Sequence, residues 1–199
     1  MFGDSLAYQA WGEIERAVRD RGYELMGEAV PGDAICDATP RVADVMARRP
    51  AYVVLAYVGN NNAPCTGRTD GEQLGEVYER SLVENAELTR DARLVVVGPP
   101  DIQAPDFVER VVIVRARYQA VARRFDHVEF VDGRSYLSPD GYAATLPCRP
   151  AEGRDEGCVG GRIAVRLDDG LHLSWPNEHG YSGGAVRWAD AIVSSVPPR

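Results

Sequence analysis

The stretch Ala51-Tyr52-Val53-Val54-Leu55-Ala56-Tyr57-Val58, closed by Gly59-Asn60-Asn61-Asn62, decides the fold of this chain. It is a continuous apolar run of strand length, without the alternation of a half-exposed strand, and so reads as a strand buried on both faces. It stops abruptly in a loop. Working outward, the same pattern recurs: Leu94–Val97 ends in Gly98-Pro99-Pro100, Val128–Val131 is another short strand, and Tyr23–Val30 reads as a strand broken by Pro31-Gly32-Asp33. Helical spacing fills the intervals. Ala7, Trp11, Ile14 and Val18 mark a helix over 7–21 closed by Gly22, and a short helix is expected over about Pro40–Arg49. Leu74, Val77, Tyr78 and Leu82 mark a helix over 70–90, Val108, Val111, Val112, Tyr118 and Val121 one over 105–125, and a last amphipathic helix covers 183–194. Strands separated by helices are parallel βαβ units, so the expected class is α/β, a three-layer α/β/α sandwich around a central parallel sheet. The region 138–161 is polar and rich in Gly and Pro, and reads as one long loop, the kind that in compact domains is commonly functional.

The chain of 199 residues is 45% hydrophobic and 26% charged, a globular balance that predicts one domain over 1–199. A formal charge of -8 with no polybasic cluster excludes nucleic acid as a partner. No apolar run approaches the ~18 residues of a membrane span, and the N-terminus lacks a signal peptide's basic and hydrophobic regions. Only Met1 and Phe2 precede the turn Gly3-Asp4-Ser5-Leu6, so the first strand looks truncated, and an export signal or membrane anchor is expected upstream. The cysteines Cys36, Cys65, Cys148 and Cys158 contain no C-x-x-C pair and no zinc spacing, which favours disulfides over four buried thiols. Three pairings are open. Cys36 with Cys65 and Cys148 with Cys158 is preferred, because the second closes a short polar loop that burial cannot hold.

In open α/β sheets ligands sit outside the carboxyl ends of the strands, so the loops just after each strand are the informative positions. They hold Ser5 in its turn, Gly32, Asn61, and the pair Asp169 and His172 in Asp168-Asp169-Gly170-Leu171-His172. A serine between strand and helix exposes its hydroxyl, histidine suits the transfer of its proton near neutrality, and a carboxylate orients that histidine. Each residue alone has an ordinary structural reading as a turn, cap or packed side chain.

Together they resemble the SGNH hydrolase superfamily, the GDSL esterases, over nearly the whole chain. The resemblance implies a flavodoxin-like SGNH hydrolase fold, Ser5 as nucleophile with Asp169 and His172, and an oxyanion hole of the Ser5 and Gly32 N–H groups with the Asn61 amide. Asn62 stands where that family usually has Asp, which puts the support of the Asn61 loop in question. His179 is the competing base. Gly180-Tyr181-Ser182-Gly183-Gly184 spells G-x-S-x-G, but no buried strand precedes it and no histidine follows, so Ser182 reads as a helix cap.

Trp175, Asn62 and His179 are the candidate substrate contacts, suited to sugar faces and hydroxyls rather than long acyl chains. The expected activity is that of a serine esterase cleaving short acyl esters, on a carbohydrate or cell-envelope substrate, with no cofactor or metal. The alternatives are an O-acyltransferase domain passing the acyl group to a sugar hydroxyl, or an inactive carbohydrate-binding relative. Disulfides and family resemblance point to an extracytoplasmic location, with association to a membrane acyltransferase as a further expectation.

Overall fold

In the computed structural model, which describes residues 1–153 and 157–199, the run around Val53 is the middle of a five-stranded sheet. The strands are β1 (Phe2–Gly3), β2 (Glu28–Ala29), β3 (Tyr52–Ala56), β4 (Arg93–Gly98) and β5 (Val128–Asp132), all parallel, in the order β2-β1-β3-β4-β5. Strand side chains alternate between faces. Val54 and Ala56 therefore pack with Val95 and Val97 in one apolar cluster, while Val53 and Leu55 pack with Leu94 and Val96 in the other. Both clusters are closed to solvent, which is why these strands contain no polar alternation.

The first cluster lies under α1 (Ser5–Gln9), α2 (Trp11–Asp20) and α7 (Gly183–Val193), and is filled by Leu6, Ile14, Trp188 and Ile192. The second lies under α3 (Ile35–Met46), α4 (Gly71–Leu88) and α5 (Val108–Ala122), and is filled by Ile35, Leu74, Tyr78, Leu82 and Tyr118. The three layers expected from the sequence are thus present. A four-residue helix, α6 (Arg134–Leu137), follows β5, and an antiparallel pair, β6 (Thr145–Pro147) with β7 (Arg162–Ala164), forms a separate small sheet.

Several boundaries differ from expectation for identifiable reasons. The helix expected over 7–21 is two helices, because Ala10 leaves helical geometry (φ -94°, ψ 3°) and turns the chain from the end of the sheet onto its face. The strand expected over 23–30 pairs only at Glu28 and Ala29, since its neighbour β1 offers only Phe2 and Gly3 for pairing. The helix expected from Pro40 begins at Ile35, so Pro40 sits inside it; Asp37 Oδ2 reaches back to the Ala34 N–H (2.9 Å) and starts the helix early. The loop expected over 138–161 contains β6, whose partner lies beyond that range; its residues 154–156 fall outside the described residues. Of the three cysteine pairings, the structure contains Cys36–Cys65 and Cys148–Cys158. Among the described residues no helix is long and apolar enough to cross a membrane.

Candidate active site

Ser5 is the first residue of α1, directly after β1, and Asp4 caps that helix by accepting the Leu6 N–H at 3.1 Å. Gly3 must be glycine, because a Cβ there would meet Ala7 Cβ at 2.5 Å and Ala56 O at 2.9 Å. The close approach seats the serine turn against the end of β3. Asp4 continues the connection: its other oxygen accepts from Val58 N at 2.7 Å and from Asn60 Nδ2 at 3.3 Å. Asn60 Nδ2 also donates to Asp33 O at 3.0 Å, and Asn60 O accepts from the buried Tyr78 hydroxyl at 2.9 Å. The loops after β1, β2 and β3 are therefore joined around one buried carboxylate. Burial pushes the Asp4 carboxyl up to about 7, and the bonds from Val58 and Leu6 oppose that rise.

Gly32 adopts φ +86°, a left-handed conformation that favours glycine, and the space its Cβ would occupy is open. Among the described residues, the N–H groups of Ser5 and Gly32 donate to no protein acceptor. Asn61 Nδ2 donates to Thr69 O at 3.1 Å, and Asn61 O accepts from Thr66 Oγ1 at 2.6 Å. The Cys36–Cys65 disulfide clamps this loop to α3. Asn62, the next residue of this loop, is exposed.

Asp169 and His172 form a pair, with Asp169 Oδ2 and His172 Nδ1 2.7 Å apart. The other carboxylate oxygen accepts the N–H groups of Leu171 and His172, each at 2.9 Å. Partial burial would raise this carboxyl, but the bonds from His172 and the two backbone N–H groups outweigh it and hold Asp169 below the usual carboxylate range. With Asp169 ionised, Nδ1 is the protonated nitrogen and Nε2 is free to act as a base.

The loop around this pair is pinned at several points. Gly170 O accepts from Gln103 N at 2.8 Å, His172 O from Leu167 N at 2.9 Å, and Leu171 O from Arg166 Nη1 at 2.9 Å. Arg166 is buried and, among the described residues, makes no ion pair with a carboxylate; burial lowers its pKa to about 10. Leu173 N donates to Gln9 Oε1 of α1 at 3.0 Å, which brings the His172 segment against the helix that begins with Ser5. Ser5 Oγ and His172 are not themselves hydrogen-bonded in this structure; catalytic hydrogen bonds often tighten only when substrate is bound.

The remaining sequence candidates, Trp175, His179 and Ser182, make no hydrogen bond to Ser5, Asp169 or His172 among the described residues. Trp175 is 70% exposed and lines a shallow depression with Arg166, Asp168, Asp169 and Ser174. His179 lies in an exposed turn with its ring 3.6 Å from Glu178, and among the described residues no aspartate orients it. Ser182 caps α7, accepting from Ala185 N at 3.1 Å and donating to Ser174 O at 2.6 Å; at 4% exposure it is buried in a structural role. A cavity of 270 Å³ bounded by Met1, Tyr23, Arg48, Tyr52 and Arg199 lies at the opposite, amino-terminal end of the strands.

Gln9, Asn60 and Arg166 were not singled out by the sequence. Gln9 carried a weak signal, being one helical turn beyond Ser5, whereas nothing distinguishes Arg166 from a surface arginine until its burial is known.

No family model matches the sequence, and no curated protein is detectably similar to it. Solved structures are. The lipase/acylhydrolase from Enterococcus faecalis superposes with a TM-score of 0.63 at 19% identity, covering 100% of this chain and 96% of that one. The fold is that of the SGNH hydrolases. Two other solved structures share this fold. The C-terminal catalytic domain of Streptococcus pneumoniae peptidoglycan O-acetyltransferase A, solved with a methylsulfonyl adduct, gives a TM-score of 0.61 at 15% identity, covering 98% of this chain and 89% of that chain. The family 3 carbohydrate esterase of Clostridium thermocellum gives 0.57 at 15% identity, covering 98% and 92% respectively. At these identities the likeness establishes the SGNH fold, and the site chemistry must be argued from the residues.

Proposed function

We propose that this protein is a serine esterase that removes short acyl groups, of the acetyl type, from a carbohydrate or cell-envelope ester. The observation that carries the reading is the Asp169–His172 pair, held at 2.7 Å and brought against the helix that opens with Ser5. Ser5 Oγ attacks the ester carbonyl carbon while His172 Nε2 takes its proton. The oxyanion forms beside the unpaired N–H groups of Ser5 and Gly32, with the second N–H of the Asn61 amide as the third donor. Collapse breaks the bond to the alcohol, which leaves with the proton from His172, and an acyl-serine remains. Water, deprotonated by His172, then attacks the acyl carbon; the acid departs and Ser5 recovers its proton.

The side chains of His172 and Asp169 are 32% and 46% exposed, an open arrangement that suits a bulky polar substrate better than a long acyl chain. On this reading Trp175, Asn62 and His179 are the residues that would contact such a substrate. Transfer to a sugar hydroxyl instead of water needs no change in these residues, and the likeness to a peptidoglycan O-acetyltransferase domain makes O-acyl transfer the second reading. Two disulfides favour an extracytoplasmic location.

The test is labelling with a fluorophosphonate, followed by turnover of nitrophenyl esters of increasing chain length. An adduct on Ser5 and highest kcat/KM for acetate are expected. Absence of an adduct and of turnover would favour the binding-only alternative, and a preference for chains beyond about eight carbons would refute the short-acyl assignment. Product analysis with sugar acceptors present separates hydrolysis from transfer.

A further inference from the structure

We infer that Gln9 is a positioning residue whose side-chain carbonyl ties the helix carrying Ser5 to the loop carrying His172. The inference rests on the roles proposed above for Ser5, Asp169 and His172. Gln9 ends α1 four residues after Ser5, so the two lie on one face of the helix. Its Oε1 accepts the N–H of Leu173 at 3.0 Å across 164 residues of sequence. Leu173 is fully buried in the cluster that contains Leu6 and Ala7, so this N–H has no water as an alternative partner.

The direction of the bond matters. It holds the peptide that follows His172, and therefore sets how far the imidazole stands from the start of α1. The other bonds to this loop run elsewhere: Gly170 O to Gln103, Leu171 O to Arg166, His172 O to Leu167. Among the described residues, the Gln9–Leu173 bond is the one hydrogen bond between α1 and the segment 164–182. Without it, Asp169 and His172 would still be joined to each other, but only the apolar packing of Leu173 against Leu6 and Ala7 would relate them to α1. An amide carbonyl supplies the acceptor without placing a second negative charge beside Asp169.

A general base works only within hydrogen-bond reach of the proton it takes, and a displacement of about 1 Å can cost on the order of a hundredfold in rate. Gln9→Met keeps the side-chain length and removes the acceptor; Gln9→Glu keeps an acceptor oxygen. Both are compared with wild type and Ser5→Ala for kcat, KM and the pH profile of nitrophenyl acetate hydrolysis. Gln9→Met is expected to lower kcat roughly ten- to a hundredfold with KM within about twofold of wild type. Gln9→Glu is expected to recover most of that loss, and its carboxylate, by favouring the imidazolium, to move the acid limb of kcat/KM to higher pH. A merely structural role would not lower kcat at unchanged KM and then recover it with the acceptor. A Gln9→Met kcat within about twofold of wild type, or a loss that Gln9→Glu shares in full, overturns the inference. Turnover that persists in Ser5→Ala refutes instead the reading on which it rests, so the two failures are distinguishable.

Discussion

Replacing Asp4 by asparagine measures what the buried carboxylate beneath Ser5 does for the protein. Asp4 is fully buried and accepts three N–H bonds, from Leu6, Val58 and Asn60. Asparagine offers one acceptor and one donor, so at least one of these N–H groups faces another N–H in a site closed to water. An unpaired buried donor costs about 1 to 3 kcal/mol. The pH dependence is more discriminating. Burial raises the Asp4 carboxyl from 3.8 to about 7, so between those values the folded protein holds a proton that the unfolded chain releases. Stability from this group is therefore fully present below pH 3.8 and declines as pH rises toward 7. Over roughly three pH units at about 1.4 kcal/mol each, the decline amounts to about 4 kcal/mol. Asparagine does not titrate. Urea unfolding of both proteins at several pH values across that window should show wild type losing its advantage over Asp4→Asn as pH rises, with parallel profiles above it. A difference between the two that stays constant with pH would refute the reasoning. One that grows with pH would mean that the three donors outweigh burial.

Asp169→Asn should leave the fold intact but remove the anion that fixes the His172 tautomer, lowering kcat by roughly a thousandfold or more in steady-state assays. Ser182→Ala should retain esterase activity while lowering stability by about 1 kcal/mol in urea unfolding, since Ser182 caps α7. Reduction of Cys36–Cys65, which spans 29 residues, should destabilise the protein by roughly 3 to 4 kcal/mol and, by loosening the Asn61 loop, lower activity before it unfolds the chain. Thermal midpoints and turnover followed together in a Cys36→Ala, Cys65→Ala double variant check this.

Legibility in the sequence followed how local the cause was. β3 and β4 could be read because a strand buried on both faces has a composition of its own, and the positions of Ser5, Gly32 and Asn61 just beyond strand ends because turn residues mark where each strand stops. The helix start at Ile35 could not, because Pro40 looked like a first helical residue and the signal that mattered was the Asp37 side chain bonding Ala34 N–H. β2 and β6 were misjudged because pairing, not composition, determines their extent. Asn60 looked like one of three interchangeable asparagines. Only its bonds to Asp4 Oδ2 and Asp33 O distinguish it from Asn61 and Asn62.

The sequence by itself determined the α/β layering and the residue types gathered at the carboxyl ends of the strands, because periodicity and turn chemistry act over a few residues. The tertiary structure alone decided that the His172 loop meets α1 through Gln9, that Arg166 lies buried beneath that loop, and that one carboxylate, Asp4, holds two strand-end loops together. These contacts join residues far apart in the chain, and their strength depends on exclusion of water, a property that no single stretch of sequence carries.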